Sequence, residues 1–301
     1  DSLDYDTADG KVVCLPQVVS RPIGLYYNNT MYKPSKAIRD MSVDEFSSSL
    51  GDNKLALMTG ENAWTTQLLY SAIIANQPGG KDILTNGVKT KITDYTGEAF
   101  VKSAGILQKL FKNNAAPNSI GAVYADAANT FMSKKASIIF NGSWMVGDLS
   151  KGAESKWSNG FTGDQVTSDI YPGNVALANN MGYWYWIPTN TPKDQVEAAL
   201  AFFEFATSQD EIESWILAEG GVAPNMKMSD SFLTKQKDNR LLNELATSIT
   251  KDTILCPSFD DAIPNSVQAP AFGKLLPKLV DGSLSPADFC RQLTAEAQAT
   301  K

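Results

Sequence analysis

Large flat rings stand beside glycine in two segments of this chain, Phe131-Met-Ser-Lys-Lys-Ala-Ser-Ile-Ile-Phe-Asn-Gly-Ser-Trp144 and Gly182-Tyr-Trp-Tyr-Trp-Ile-Pro188. Glycine lets the backbone turn sharply and come close to a ligand. Rings beside bare backbone suit the apolar face of a sugar, and they suit little covalent chemistry. The chain contains no histidine. The Ser-His-Asp and Cys-His nucleophile systems are therefore ruled out, along with the commonest transition-metal ligand. Carboxylates could still serve as general bases. Asp260-Asp261 is a vicinal pair, but neighbouring residues point in different directions in a helix or strand, so catalytic pairing is not expected. Paired tyrosines such as Tyr26-Tyr27 can ligate iron, but core packing is the simpler role. Cys14, Cys256 and Cys290 are far apart and form no C-x-x-C pattern, which disfavours zinc. Buried apolar thiols are the plain expectation. A Cys256–Cys290 disulfide is the alternative if the protein is exported.

Composition narrows the class further. With 301 residues and 43% hydrophobic content, the chain can bury a large core and lies where chains often divide into two domains. The net charge of −7 disfavours nucleic acid and anionic lipid as partners. No apolar stretch reaches the ~18 residues that a membrane span needs. The sequence opens at Asp1 without methionine or a signal peptide, which reads as the middle of something longer.

The elements that must carry these rings alternate short apolar runs with amphipathic helices, the α/β pattern. Strands are expected at Lys11–Pro16, Ile23–Tyr27, Lys54–Met58, Ala136–Phe140, Val175–Ala178 and Tyr183–Ile187. Ser42 and Glu45 form a capping box that opens a helix. Thr65–Gln77, apolar on most sides, is expected to be a buried helix. Gly97–Asn113 carries Phe100, Ala104, Leu107 and Phe111 on one stripe, and Ala122–Lys135 is a further helix. From Trp144 to about Gly173 the chain is rich in Gly, Ser and Asp and reads as loop. Thr191-Pro192 is expected to cap a helix that buries Val196, Ala199, Leu200 and Phe203. Ser208–Glu219 stops at Gly220-Gly221, and Ser285-Pro286 opens the last helix.

In sequence order these segments resemble the extracellular solute-binding proteins of ABC importers, the family that includes maltodextrin- and oligosaccharide-binding proteins. Asp9-Gly-Lys-Val-Val-Cys-Leu-Pro16 resembles D-G-K-x-Y-G-x-P, and Gly24-Leu-Tyr-Tyr-Asn-Asn29 resembles L-Y-Y-N-K. Phe131 to Trp144 resembles F-x-x-G-K-A-A-M-x-x-x-G-S-W, with Ser133-Lys134 where the family has Gly-Lys. Gly182–Pro188, Glu197–Ser208 and Gly220–Asn225 resemble G-x-x-I-S, E-A-A-W-E-F-L-K-F-L-T-S and G-x-x-P-x-R, the last with Asn225 in place of arginine. The resemblance implies an α/β, periplasmic-binding-protein-like two-lobe fold of type II, with the second lobe complete and the first partial. Residues 1–22 and 184–239 would be the remnant of the N-terminal lobe. Residues 23–183 and 240–301 would form the C-terminal lobe. An N-terminal truncation would leave the Val196/Leu200/Phe203 face uncovered, for a dimer or a partner segment to fill.

The resemblance also implies a set of binding residues. Trp144 would be the floor of a sugar site, burying pyranose C–H groups and leaving hydroxyls free. Glu61 and Trp64, in the loop before the buried helix, would add a carboxylate and a second ring. Tyr183 and Trp184 follow the cleft glycine, and strand alternation turns them to opposite faces. Asn179 and Asn180 offer loop amides, Arg21 lies at the inferred hinge, and Asn225 stands where the family often has a ligand-contacting arginine. The implied function is non-covalent binding of a sugar or oligosaccharide between lobes and its delivery to the transmembrane subunits of an ABC permease. No cofactor, metal, nucleic acid or catalysis is expected, and the setting is extracellular or periplasmic, as a lipid-anchored surface protein. Two other classes remain open at this point. One is a receptor for a peptide, polyamine or metal. The other is a glycoside-active enzyme, which would need two carboxylates about 5–10 Å apart.

Overall fold

The computed structural model describes residues 7–8, 11–12, 14–15, 19–149, 157, 159–179, 185–223 and 226–299. In chain order its elements are β1 (Thr7–Ala8), β2 (Lys11–Val12), β3 (Arg21–Asn28), α1 (Val43–Ser49), β4 (Leu55–Ala56), α2 (Trp64–Ala75), α3 (Gly80–Thr90), α4 (Glu98–Asn114) and α5 (Tyr124–Met132). They continue with β5 (Ile138–Gly142), β6 (Val166–Asp169), β7 (Val175–Asn179), α6 (Lys193–Ala206), α7 (Gln209–Glu219), α8 (Asp230–Asp238) and α9 (Arg240–Ser248). The last are β8 (Ile254–Cys256), α10 (Phe259–Ala262), α11 (Phe272–Val280) and α12 (Pro286–Ala299).

β3 is the axis of a six-stranded mixed sheet ordered β4-β5-β3-β7-β8, with β6 also paired to β3. β5 runs antiparallel along one edge of β3, from Ile23↔Gly142 to Tyr27↔Ile138. The other edge is shared, β7 pairing at Arg21–Ile23 and β6 at Leu25–Asn28. β4 and β5 are parallel, as are β7 and β8. Strand alternation then feeds two cores. Ile23, Leu25, Leu55, Ile138 and Phe140 enter the larger one with α2, α4, α11 and α12, while Tyr26, Ala56 and Ile139 enter a second with α5 and Phe161. Both faces are covered, so the strands read as continuous apolar runs.

α2 buries every residue from Thr65 to Ala75. Two of its polar members bond locally, Thr66 donating to the Met58 carbonyl at 2.7 Å and Ser71 to that of Gln67 at 2.6 Å, whereas Thr65 Oγ1 and Gln67 Oε1 find no partner among the described residues. The Ser42–Glu45 capping box opens α1, Ser208 caps α7, whose end is closed by Gly220, and Ser285 accepts the Asp288 amide at 3.1 Å. The structure also departs from the sequence reading. The Lys11–Pro16 strand is only Lys11–Val12, with Leu15 bridged to Tyr185. Part of the expected Tyr183–Ile187 strand lies outside the described residues. Pro192, not Thr191, is the residue flanking α6, and it makes no side-chain cap bond. Cys14 is half-buried rather than buried as expected, while Cys256 and Cys290 are buried free thiols, so no bond forms between them. Burial pushes both of those thiols up to about 12.

α6 buries none of its residues. Of the face expected to be buried, Leu200 is 54% exposed and Val196, Ala199 and Phe203 are only half-buried, while Phe202, Phe205 and Trp186 are exposed beside it. Tyr185 packs edge-on to Phe202 at 5.6 Å and against Phe203 at 5.3 Å. Next to it, Val19, Ile212, Ile216, Ala223 and Phe232 form a small core of their own.

Candidate ligand-binding site

Because β4 and β5 are parallel neighbours, the chains leaving their C-terminal ends emerge together, the usual place for ligands in α/β sheets. The segment after β4 carries Glu61 and Trp64, and the one after β5 carries Trp144. Their rings meet at 6.4 Å between centroids, and Trp64 lies 5.0 Å from Tyr124 at the start of α5. At the other end the Arg21 guanidinium stands over the Trp144 ring, 5.0 Å from its centroid, a cation–π arrangement. Arg21, Trp144, Trp64 and Tyr124 thus form one continuous wall.

The wall is fixed from behind. A Cβ on Gly142 would fall 2.1 Å from the Trp144 ring, so the indole is seated on bare backbone. Tyr26 donates to the Gly142 carbonyl at 2.9 Å. Asn141 donates to the Tyr124 hydroxyl at 3.1 Å and accepts the Gly142 amide at 2.8 Å. Glu61 accepts the Tyr124 amide at 2.9 Å, holding the first turn of α5 against the Trp64 loop. Burial pushes the Tyr124 phenol up, and the Asp148 carboxylate adds to it. Trp144 and Trp64 are half-buried, while Glu61 is exposed.

Four of the nine sequence candidates, Arg21, Glu61, Trp64 and Trp144, therefore come together. Asn179 reaches the same region through its backbone, paired with Arg21. Asn180, Tyr183, Trp184 and Asn225 lie outside the described residues. Sequence reasoning missed Tyr124, Asn141 and Gly142 as parts of the wall. The chemistry available is ring stacking flanked by a guanidinium, a carboxylate and amides. Among the described residues no three acidic or thiol side chains converge to hold a metal, and no helix is long and apolar enough to cross a membrane. A surface cavity of about 1090 Å³ between the 117–122 loop, α5 and Trp157 is lined by none of the four wall residues.

Asp260 and Asp261 open α10. Burial, and then the neighbouring Asp260 charge, raise the Asp261 carboxyl from 3.8 to about 7, against the bond it accepts from Ser258. Lys91 reaches only the Asp261 carbonyl, at 2.8 Å. The folded protein holds this proton more tightly than the unfolded chain does. Its stabilisation is therefore full below about pH 4 and is lost as pH rises through the folded value, by on the order of 2–4 kcal/mol. Asp261→Asn is expected to remove that loss. Thermal midpoints of variant and wild type from pH 4 to 8 should diverge upward for the variant, and parallel curves would refute the assignment.

The sheet thus carries helices on both faces and a ring wall at its strand ends. The chain belongs to the bacterial extracellular solute-binding protein family, whose model matches residues 1–240. Similar solved structures include a chitin oligosaccharide binding protein, at 20% identity and a TM-score of 0.76, covering 99% of this chain and 74% of the other. Another is a Streptococcus pneumoniae solute-binding protein in complex with the blood group A-trisaccharide, at 17% identity and a TM-score of 0.70, covering 100% and 74%. A third is the GacH receptor of Streptomyces glaucescens, solved unliganded and with acarbose, at 15% identity and a TM-score of 0.67, covering 99% and 73%. No curated protein sequence matches the chain.

Proposed function

We propose that this protein is the sugar- or oligosaccharide-binding component of an ABC importer, holding its ligand without covalent chemistry and presenting it to the permease. The observation that carries the reading is the Arg21–Trp144–Trp64–Tyr124 wall, with Trp144 seated on Gly142. Stacking on such rings buries pyranose C–H groups, and the flanking guanidinium, carboxylate and amides match hydroxyls. Receptors with the same fold hold a blood group trisaccharide and acarbose, which supports a carbohydrate over a peptide, polyamine or metal. Asn179, Asn180, Tyr183, Trp184 and Asn225 complete the proposed ligand set.

In this reading residues 23–183 and 240–301 form one lobe, and residues 1–22 and 184–239 belong to the other. The separate core around Ile216 supports that division. The protein is held at the cell surface by a lipid anchor. The apolar face of α6 is taken up by a second copy or a partner segment. Sedimentation velocity is expected to show a species larger than one chain, and a monodisperse monomer would contradict self-association. A thermal-shift panel of oligosaccharides, peptides, polyamines and metal ions tests the ligand class, since a true ligand raises the midpoint by mass action. A rise with oligosaccharides alone supports the proposal, and a rise confined to any other class overturns it.

A further inference from the structure

Behind Trp64 three departures from regular backbone meet. Glu61, Asn62 and Ala63 are consecutive left-handed residues, with φ of 48°, 59° and 56°. For residues with a Cβ this costs about 1–2 kcal/mol each. Facing them is a π-helical turn, Val267–Ala271, with Pro270 inside it. Proline has no N–H for the helical ladder, so the turn widens there. α11 follows directly, and its second residue is Gly273, a position where glycine forfeits about 1 kcal/mol of helix propensity relative to alanine. Its use is steric, since a Cβ on Gly273 would come within 3.1 Å of the Asn62 Cα. Gln67, 1% exposed, joins the parts: its amide donates to the Asn62 carbonyl at 2.6 Å and reaches the Gln268 carbonyl at 3.5 Å. Gly60 is fixed from the other side by the Ala122 carbonyl at 2.8 Å.

Strain of this kind persists only where its surroundings impose it, and it collects at sites that need a fixed geometry. We propose that Gly273 and Gln67 are positioning residues for the sugar site, holding the Glu61–Ala63 turn left-handed so that the Trp64 ring lies in line with Trp144. Both act through Asn62, Gly273 by its close approach and Gln67 by its hydrogen bond. The inference rests on Trp64 belonging to the sugar site.

The test uses Gly273→Val, Gln67→Leu and Trp64→Ala, each measured for thermal midpoint, amide exchange at residues 60–66, and affinity for a chitin oligosaccharide, raffinose and maltotetraose. Gly273→Val and Gln67→Leu are expected to speed exchange in the turn and to weaken binding by about tenfold or more. Midpoints should fall by only a few degrees, and exchange elsewhere should stay as in wild type. A merely structural role would lower the midpoint and leave the affinity of the folded protein unchanged. Unchanged exchange at residues 60–66 overturns the proposal. Faster exchange with unchanged affinity also overturns it, provided Trp64→Ala weakens binding. If Trp64→Ala leaves affinity intact, or if none of the three sugars binds the wild type, the site reading itself fails and the positioning role falls with it.

Discussion

Replacing Trp144 by alanine is expected to weaken oligosaccharide binding by about 30-fold or more, the effect of losing a central aromatic anchor worth at least about 2 kcal/mol. The ring is half-buried, so its loss should cost the folded protein little. The cation–π contact with Arg21 and the contact with Trp64 go with it. The wall would then be cut in the middle. Gly142→Ala approaches the same end from behind. Its new Cβ would fall 2.1 Å from the indole, so the ring must tilt off its seat although every wall residue is still present. Calorimetric titration of the two variants should give comparable losses. If both bind as wild type does, the wall is not the sugar platform.

The largest loss of stability is expected at Asp169, which is 4% exposed in β6. One carboxylate oxygen accepts the Arg39 guanidinium at 2.8 Å and the Ile170 amide at 2.9 Å. The other accepts the Ile38 amide at 2.9 Å and the Arg39 amide at 3.4 Å. A single side chain thus ties the 38–40 turn to the central sheet. Asp169→Ala removes every one of these acceptors and strands the buried Ile38 and Ile170 amides, while Arg39 keeps Ser248 at 3.2 Å, at a cost of about 3–5 kcal/mol. That corresponds to a drop in thermal midpoint of roughly 6–15 °C. The variant's sugar affinity, measured well below its midpoint, should match wild type, because Asp169 lies outside the wall. A midpoint within 2–3 °C of wild type would show that the network contributes only about 1 kcal/mol.

Asp169 also shows why β6 was hidden in the sequence. Val166-Thr-Ser-Asp169 is a buried strand whose inward residues include a serine and an aspartate, both satisfied by partners far along the chain. Ser168 bonds to the Leu241 carbonyl at 2.9 Å, and Asp169 bonds to Arg39. Local pattern reads such a strand as loop. α3 was missed for a related reason: of its residues only Gly80, Leu84 and Gly87 are buried, too few to mark a stripe. By contrast α2 was plain, because a helix apolar all round has to be buried. Trp144 was plain because Gly-Ser-Trp sets a ring beside bare backbone. Tyr124 gave no such signal. It joins the wall through the Glu61 carboxylate and the Asn141 amide, contacts that sequence spacing does not express. In α6 the periodicity marked the apolar residues, yet periodicity says nothing of what covers them, and the face is only half-buried, with Leu200 exposed.

Family membership fixes the kind of protein, and the wall is the proposed basis of its ligand class. Isothermal titration with chitin oligosaccharide, raffinose and maltotetraose, followed by recovery of the sugar, tests the central claim most directly. Saturable binding of at least one of them, with the sugar recovered intact and the affinity lost in Trp144→Ala, is the predicted result. Binding of a peptide, polyamine or metal ion in place of every sugar, or recovery of a cleaved sugar, would contradict it.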